Sequence, residues 1–276
     1  MRTQLLTILS LSAGTFLAQA VIVGTETFDT DGLIGGQTGG TGFDYDNIND
    51  TATGTTSNWN DVGGTPSVVG GALVTNNSSA RREYNGPVEG AGGGDGPDTE
   101  RAGAARGAGV VFYSVDLTRS ANAFWSGISS YDFGSERVFF GVPGAGGATD
   151  TIGIEESGVG STLGTVSVAD DSTNTFVAII DFDNDLLGLF LNPDSGTDFW
   201  DPTNGDNNAD VTRAYTGTNW STGARLGSGG EASWDNMVIA LDDPTDVGLL
   251  ATNPIPEPAT GIFGSLAALL LLRRRR

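Results

Sequence analysis

The chain contains no cysteine, no histidine and no lysine. Without cysteine there is no disulfide framework, no thiolate nucleophile and no Cys-ligated zinc or iron–sulfur site. Without histidine there is no imidazole base, so a Ser-His-Asp triad and His-ligated metals are excluded. Without lysine there is neither a Schiff-base nucleophile nor a P-loop lysine. Long helical periodicity is also missing between the two ends. Carboxylates, Tyr, Ser/Thr and Arg remain, so carboxylate-based hydrolysis and hard-cation binding are the chemistries left open.

What is present is acid, glycine and short apolar runs. The 276 residues carry 34 acids against 13 bases, all arginine, for a formal net charge of -21. That balance repels nucleic acid and anionic membrane surfaces, and it favours solubility. The 43 glycines, with many Thr, Asn and Asp, predict many turns. The runs VVFYSVDL (110–117), ERVFFGV (136–142), TFVAIIDF (175–182), LLGLFLNP (186–193) and NMVIAL (236–241) are short, rich in β-formers and bounded by turn residues. TETFDT (25–30) and ALVTN (72–76) are weaker versions of the same pattern. Asp183-Asn184-Asp185 between two of the runs predicts a hairpin. The expected fold is all-β, an antiparallel two-sheet sandwich over residues 21–250. The Gly/Ala-rich stretch 86–109 reads as a long loop on one rim.

The two ends read as processing signals. Arg2, the apolar stretch Leu5 to Leu17 and the small-x-small pattern Ala18-Gln19-Ala20 predict a signal helix over 1–20, cleaved after Ala20 by signal peptidase on the Sec route. Over 251–276, Pro254, Pro256 and Pro258 stop any helix running in from the domain. Ala259 to Leu272 is an apolar helix candidate. At about 1.5 Å per residue it reaches only ~21 Å, short of the ~30 Å hydrocarbon core, which suits transient membrane contact. Arg273, Arg274, Arg275 and Arg276 would stay cytoplasmic. The two ends hold five of the 13 arginines and one of the 34 acids, so processing leaves a more acidic product.

The order Pro256-Glu257-Pro258, apolar helix, arginine cluster resembles a PEP-CTERM sorting signal. That resemblance implies a Gram-negative-type bacterium, an exosortase that processes the chain near the triplet, and delivery to the cell surface or extracellular matrix, often alongside exopolysaccharide. Four segments of the middle, ETFDTDGLIGGQTGGTGF (26–43), FWSGISSYDFGSERVFFGVPG (124–144), FVAIIDFDNDLLGLFLNPD (176–194) and ASWDNMVIAL (232–241), together resemble exported bacterial concanavalin A-like, laminin-G-like jelly rolls. The resemblance implies two sheets whose concave face binds glycans in some members, and it brings no catalytic residue.

Candidate chemistry is thin and each signal has a plainer reading. Asp181, Asp183 and Asp185 put oxygens close together for calcium, but a hairpin turn also favours Asp and Asn. Asp201, Asn204, Asp206 and Asp210 could wrap calcium or form an ordinary polar loop. Glycoside hydrolysis needs two carboxyls facing one bond. The Glu-x-Asp-x-Glu strand of laminarinase-type enzymes is absent, and Glu155 and Glu156 are adjacent and would point to opposite faces. Trp59, Trp200 and Trp220 lie in polar stretches and are the candidates for stacking on sugar rings; Trp125 and Trp234 lie in strand-like runs and read as core. Arg81, Arg82 and Arg137 read as surface ion-pair partners. Sequons at Asn49, Asn77 and Asn219 are taken as chance. The expected function is a non-enzymatic, structural or adhesive exported protein associated with polysaccharide. The alternative is a carbohydrate-active enzyme on the same fold.

Overall fold

In a computed structural model, residues 21–41, 59–83, 109–132, 135–144, 150–217, 221 and 223–253 are described. The signal segment 1–20, the sorting tail from Pro254 onward and most of the Gly/Ala-rich stretch lie outside them. Among the described residues no helix is long and apolar enough to cross a membrane.

The described residues form fourteen strands, all paired antiparallel: β1 Val21–Glu26, β2 Gly32–Leu33, β3 Asn60–Gly63, β4 Ser67–Val69, β5 Ala72–Glu83, β6 Val110–Arg119, β7 Ser126–Asp132, β8 Ser135–Val142, β9 Thr151–Glu156, β10 Gly160–Ser167, β11 Thr173–Asp181, β12 Leu186–Leu191, β13 Val211–Ala214 and β14 Gly223–Leu241. A 3₁₀ turn, Pro244–Val247, follows β14. The architecture is the antiparallel two-sheet jelly-roll sandwich that the strand pattern leads one to expect.

Two long strands join the layers. β14 runs for 19 residues and β5 for 12. Their pairing slips between Ser228 and Glu231, opposite Asn77, whose φ is 49°. A bulge in one strand and a left-handed Asn in its partner bend the ribbon sharply. Before the bend, β14 lies between β5 and β7, and sheet one continues through β8, β9 and β10, with β3 beyond β5. After the bend, β14 pairs with β6, and sheet two continues through β11, β12 and β13. On its other side lie β1, the start of β5, β4 and β2.

The core fills the space between the sheets. Ile128, Val138, Phe140, Ile152 and Ile154 of sheet one meet Val111, Tyr113, Val115, Phe176, Ala178 and Leu189 of sheet two. Each such aliphatic or aromatic side chain contributes ~1.5–3 kcal/mol when fully buried. Several polar groups inside are paired with one another. Trp234 Nε1 donates to Thr75 Oγ1 at 2.9 Å, and Ser221 bonds both Tyr113 and Ser130.

Sheet two has a second apolar layer on its outside. Val110, Phe112, Val177, Ile179, Phe190 and Ala240 pack under Trp200, Val247 and Leu249. Alternate residues of β6 and β11 therefore face two different cores, which is why FVAII and VVF read as unbroken apolar runs. Residues 196–209 and 244–250 supply the cover. Among the described residues the outer face of sheet one has no such layer, and that asymmetry positions the candidate site.

Candidate functional site

The outer face of sheet one is built from residues one step out of phase with the core. Ile128 points in, so Gly127, Ser129 and Tyr131 point out; Phe140 points in, so Phe139 and Gly141 point out. In β9, Ile154 and Glu156 are buried and Glu155 is exposed. In the first half of β14, Ala224 and Leu226 are core and Arg225 and Gly227 are not.

Glycines let two aromatic rings lie directly on the backbone of this face. A Cβ on Gly229 would collide with Trp125 Nε1, and one on Gly227 would stand 3.1 Å from Trp125 Cη2. A Cβ on Gly127 would stand 2.5 Å from Phe139 Cζ. The two rings meet edge to face, with centroids 6.2 Å apart at 69°, a favoured geometry for aromatic pairs.

Beside them sits a connected polar group. Arg225 Nη2 pairs with Glu136 Oε1 at 2.7 Å and also donates to Ser129 Oγ at 3.2 Å. Its Nη1 donates to Tyr131 Oη at 2.9 Å. Ser129 Oγ donates to Glu136 Oε1 at 2.6 Å. The Arg225 guanidinium lies 5.9 Å from the Trp125 ring and 5.4 Å from the Tyr131 ring, within cation–π reach. Arg81 approaches the same Tyr131 ring at 5.2 Å. Burial pushes the Tyr131 phenol up, against the opposing pull of Arg225, so it remains a neutral hydroxyl. Trp125, Phe139, Glu136, Arg225, Glu155 and the Ser157–Gly158 turn enclose an open cleft of about 270 Å³. Apolar rings next to a few fixed polar groups are the usual makeup of a small-ligand site. Phe139 is buried beneath the cleft, and the half-exposed Trp125 ring can stack on an apolar face of a ligand while the arginine, carboxylates and hydroxyls bond its rim.

The tryptophans expected to stack on sugars are placed differently. Trp59 is fully buried, with Nε1 donating to Glu26 Oε2 at 3.0 Å. Trp200 is fully buried, with Nε1 donating to Asp181 Oδ2 at 2.9 Å. Each polar stretch folds its tryptophan inward because the indole N–H finds a buried carboxylate. Trp220 lies outside the described residues. Trp234 is core, as expected. Trp125, read from the sequence as core, is half-exposed and forms the wall of the cleft. The available signal was a tryptophan just ahead of a strand in a chain that also holds a Gly-Ser-Gly-Gly run (227–230) able to seat it.

Most of the candidate calcium ligands are engaged within the protein. Asp181 is fully buried and accepts from Asn184 N, Asn184 Nδ2 and Trp200 Nε1, each at 2.9 Å. Burial raises its pKa, and those hydrogen bonds oppose the rise. Asp183 accepts from Gly109 N, and Asp185 takes a left-handed turn conformation, φ 51°. Asp201 caps Thr203, Asn204 accepts from Asp206 N, and Asp210 accepts from Leu191 N. Among the described residues no three acids gather as metal ligands.

One further expectation changes. Arg82, read as a surface ion-pair partner, is fully buried and pairs with Glu26 at 2.7 Å beneath Trp59. Arg137 is half-buried. Glu155 and Glu156 do face opposite ways; Glu156 turns inward to Arg213 of β13 at 3.5 Å, tying the two sheets together. The sorting and processing residues Ala18, Ala20, Pro256, Glu257, Pro258, Arg273, Arg274, Arg275 and Arg276 lie outside the described residues.

No protein-family model and no curated protein matches the chain. Solved structures resemble it at low identity. The CBM2 module of the evolved Dit protein of Lactobacillus casei BL23 phage J-1 is 12% identical, with 81% of this chain and 97% of that one covered and a TM-score of 0.44. Arcelin-5, a lectin-like defence protein from Phaseolus vulgaris, is 10% identical over 67% of this chain and 92% of its own, with a TM-score of 0.41. Domain 4 of an extracellular arabinanase from Geobacillus stearothermophilus, solved with arabinotriose, is 12% identical over 83% and 97%, with a TM-score of 0.39. At this level they assign this chain no ligand.

Proposed function

We propose that this chain is an exported cell-surface or matrix protein that associates with polysaccharide through the open face of sheet one and catalyses no reaction. The observation that carries the reading is the cleft where Trp125 and Phe139 lie against the Arg225–Glu136–Ser129–Tyr131 group. A pyranose ring offers an apolar C–H face and a rim of hydroxyls, and the cleft offers the complement to both. Glu136 is held by Arg225 and Ser129, which suits a fixed hydrogen-bond acceptor more than a proton-transferring group. Export by the Sec route and delivery by an exosortase rest on the terminal segments 1–20 and 251–276. No cofactor enters this reading.

The test is titration of the full-length chain with neutral, amino and uronic-acid polysaccharides, with calcium and with chelator. Saturable binding to at least one polymer, indifferent to chelation and lost in Trp125→Ala, is expected. No binding across the panel overturns the reading. Release of reducing ends would replace it with a glycoside hydrolase, and Glu136 and Glu155, which share the cleft, would be the carboxylates to substitute first.

A further inference from the structure

The charges of the cleft narrow the ligand class, an inference that rests on the saccharide-binding reading. Three charged side chains line it: Arg225, Glu136 and Glu155. Arg225 and Glu136 neutralise each other at 2.7 Å, and the remaining Arg225 Nη donors are directed to Ser129 and Tyr131. Glu155 is exposed and makes no hydrogen bond or ion pair with any described residue. Arg81 of β5 and Arg137 of β8 are engaged within the protein. The three charges that line the cleft thus sum to one negative.

That charge stands in a defined place. Glu155 of β9 is directly opposite Phe139 of β8 in the ladder, and both project from the outer face. Side chains so paired have Cβ atoms about 4.5–5.5 Å apart. A cation brought to Glu155 stands in the same cleft as the half-exposed Trp125 ring, whose face attracts it further. The net charge of -21 draws cationic glycans and repels uronate polymers.

We infer that the cleft takes a saccharide bearing a protonated amine, an amino sugar, in preference to its neutral or uronic-acid counterpart. The probes are a glucosamine oligomer, the N-acetylglucosamine oligomer of equal length and a galacturonic acid oligomer, titrated into the full-length chain in mildly acidic buffer. The glucosamine oligomer is expected to bind roughly two- to fivefold tighter than its N-acetylated counterpart, the range of one partly exposed ion pair. The galacturonic acid oligomer is expected to bind weakest. Added salt narrows the gap. Glu155→Gln brings the ratio of the first two close to one. Asp171→Asn removes an exposed acid on the turn before β11, at a φ of 54° that Asn tolerates, and keeps the ratio.

Equal or tighter binding of the N-acetylated or uronic-acid oligomer overturns this inference and leaves the saccharide reading standing. A ratio that survives Glu155→Gln also overturns it, because bulk charge would then set the preference. Failure of every oligomer and polymer to bind removes the saccharide reading itself.

Discussion

The two sheets share one interior but meet the outside in opposite ways. Sheet two carries Val110, Phe112, Val177, Ile179 and Phe190 outward and buries them under Trp200, Val247 and Leu249. Sheet one carries Trp125, Phe139, Arg225, Glu136, Tyr131 and Glu155 outward and leaves the cleft among them open. The covered face behaves as core: its tryptophan is anchored by a buried carboxylate and its contacts are van der Waals. The open face keeps Trp125 near water beside an ion pair whose partners are 15% and 32% exposed. Burial thus separates a tryptophan that holds the fold together from one available to a ligand.

The sharpest way to break this contrast is to remove a tryptophan from each face. Trp200→Ala should cost ~3–5 kcal/mol in denaturant unfolding, as for other buried aromatics cut to alanine, because it opens a cavity and removes the indole hydrogen bond to the buried Asp181. Trp125→Ala should cost ~1 kcal/mol or less but abolish saccharide binding. Equal losses of stability would dissolve the distinction between the faces.

The ion pairs offer a second contrast. Arg82 and Glu26 are 0% and 2% exposed. Arg82→Leu leaves Glu26 buried without its countercharge and should destabilise by ~3–5 kcal/mol. Arg225→Leu removes a partly exposed pair and should cost about 1 kcal/mol or less, while weakening binding because Glu136 and Ser129 lose their orientation. Unfolding curves for the two variants, with saccharide titrations alongside, give the comparison.

A smaller effect concerns pH. The Asp181 carboxyl, buried under Trp200, is raised above its ordinary value. The native state then holds this proton more tightly than the unfolded chain does. Asp181 therefore contributes stability that is fully present below the unfolded value, about 3.9, and is lost as pH rises through the raised folded value. The stability difference between wild type and Asp181→Asn should shrink as pH rises through that window. A difference that is flat, or grows with pH, would contradict the assignment.

Much of the fold was legible because sheet two is buried on both faces. β6, β11, β12 and the end of β14 announce themselves as apolar runs, and the 183–185 turn as a hairpin. β7, β9, β10 and the first half of β14 were not read from periodicity. Their outward positions are Gly, Ser, Arg or Glu, and SGISS or GSGGE carries little alternation. The candidate site was poorly legible for the same reason. Trp59 and Trp200 sit in polar sequence, yet their indole N–H groups meet Glu26 and Asp181, far away in the chain, and are drawn inside. Trp125 sits in an apolar stretch, yet its seat is made by Gly227 and Gly229, a hundred positions on. Local sequence cannot display either pairing.

The most direct test of the central claim compares two affinities for whichever saccharide binds the wild-type chain best: that of Trp125→Ala and that of Trp200→Phe, both checked to be folded. The open-face account predicts a loss of about tenfold or more for Trp125→Ala, ~1.4 kcal/mol, and unchanged binding for Trp200→Phe. Full binding by Trp125→Ala, or loss confined to Trp200→Phe, would contradict it and move the ligand site off sheet one.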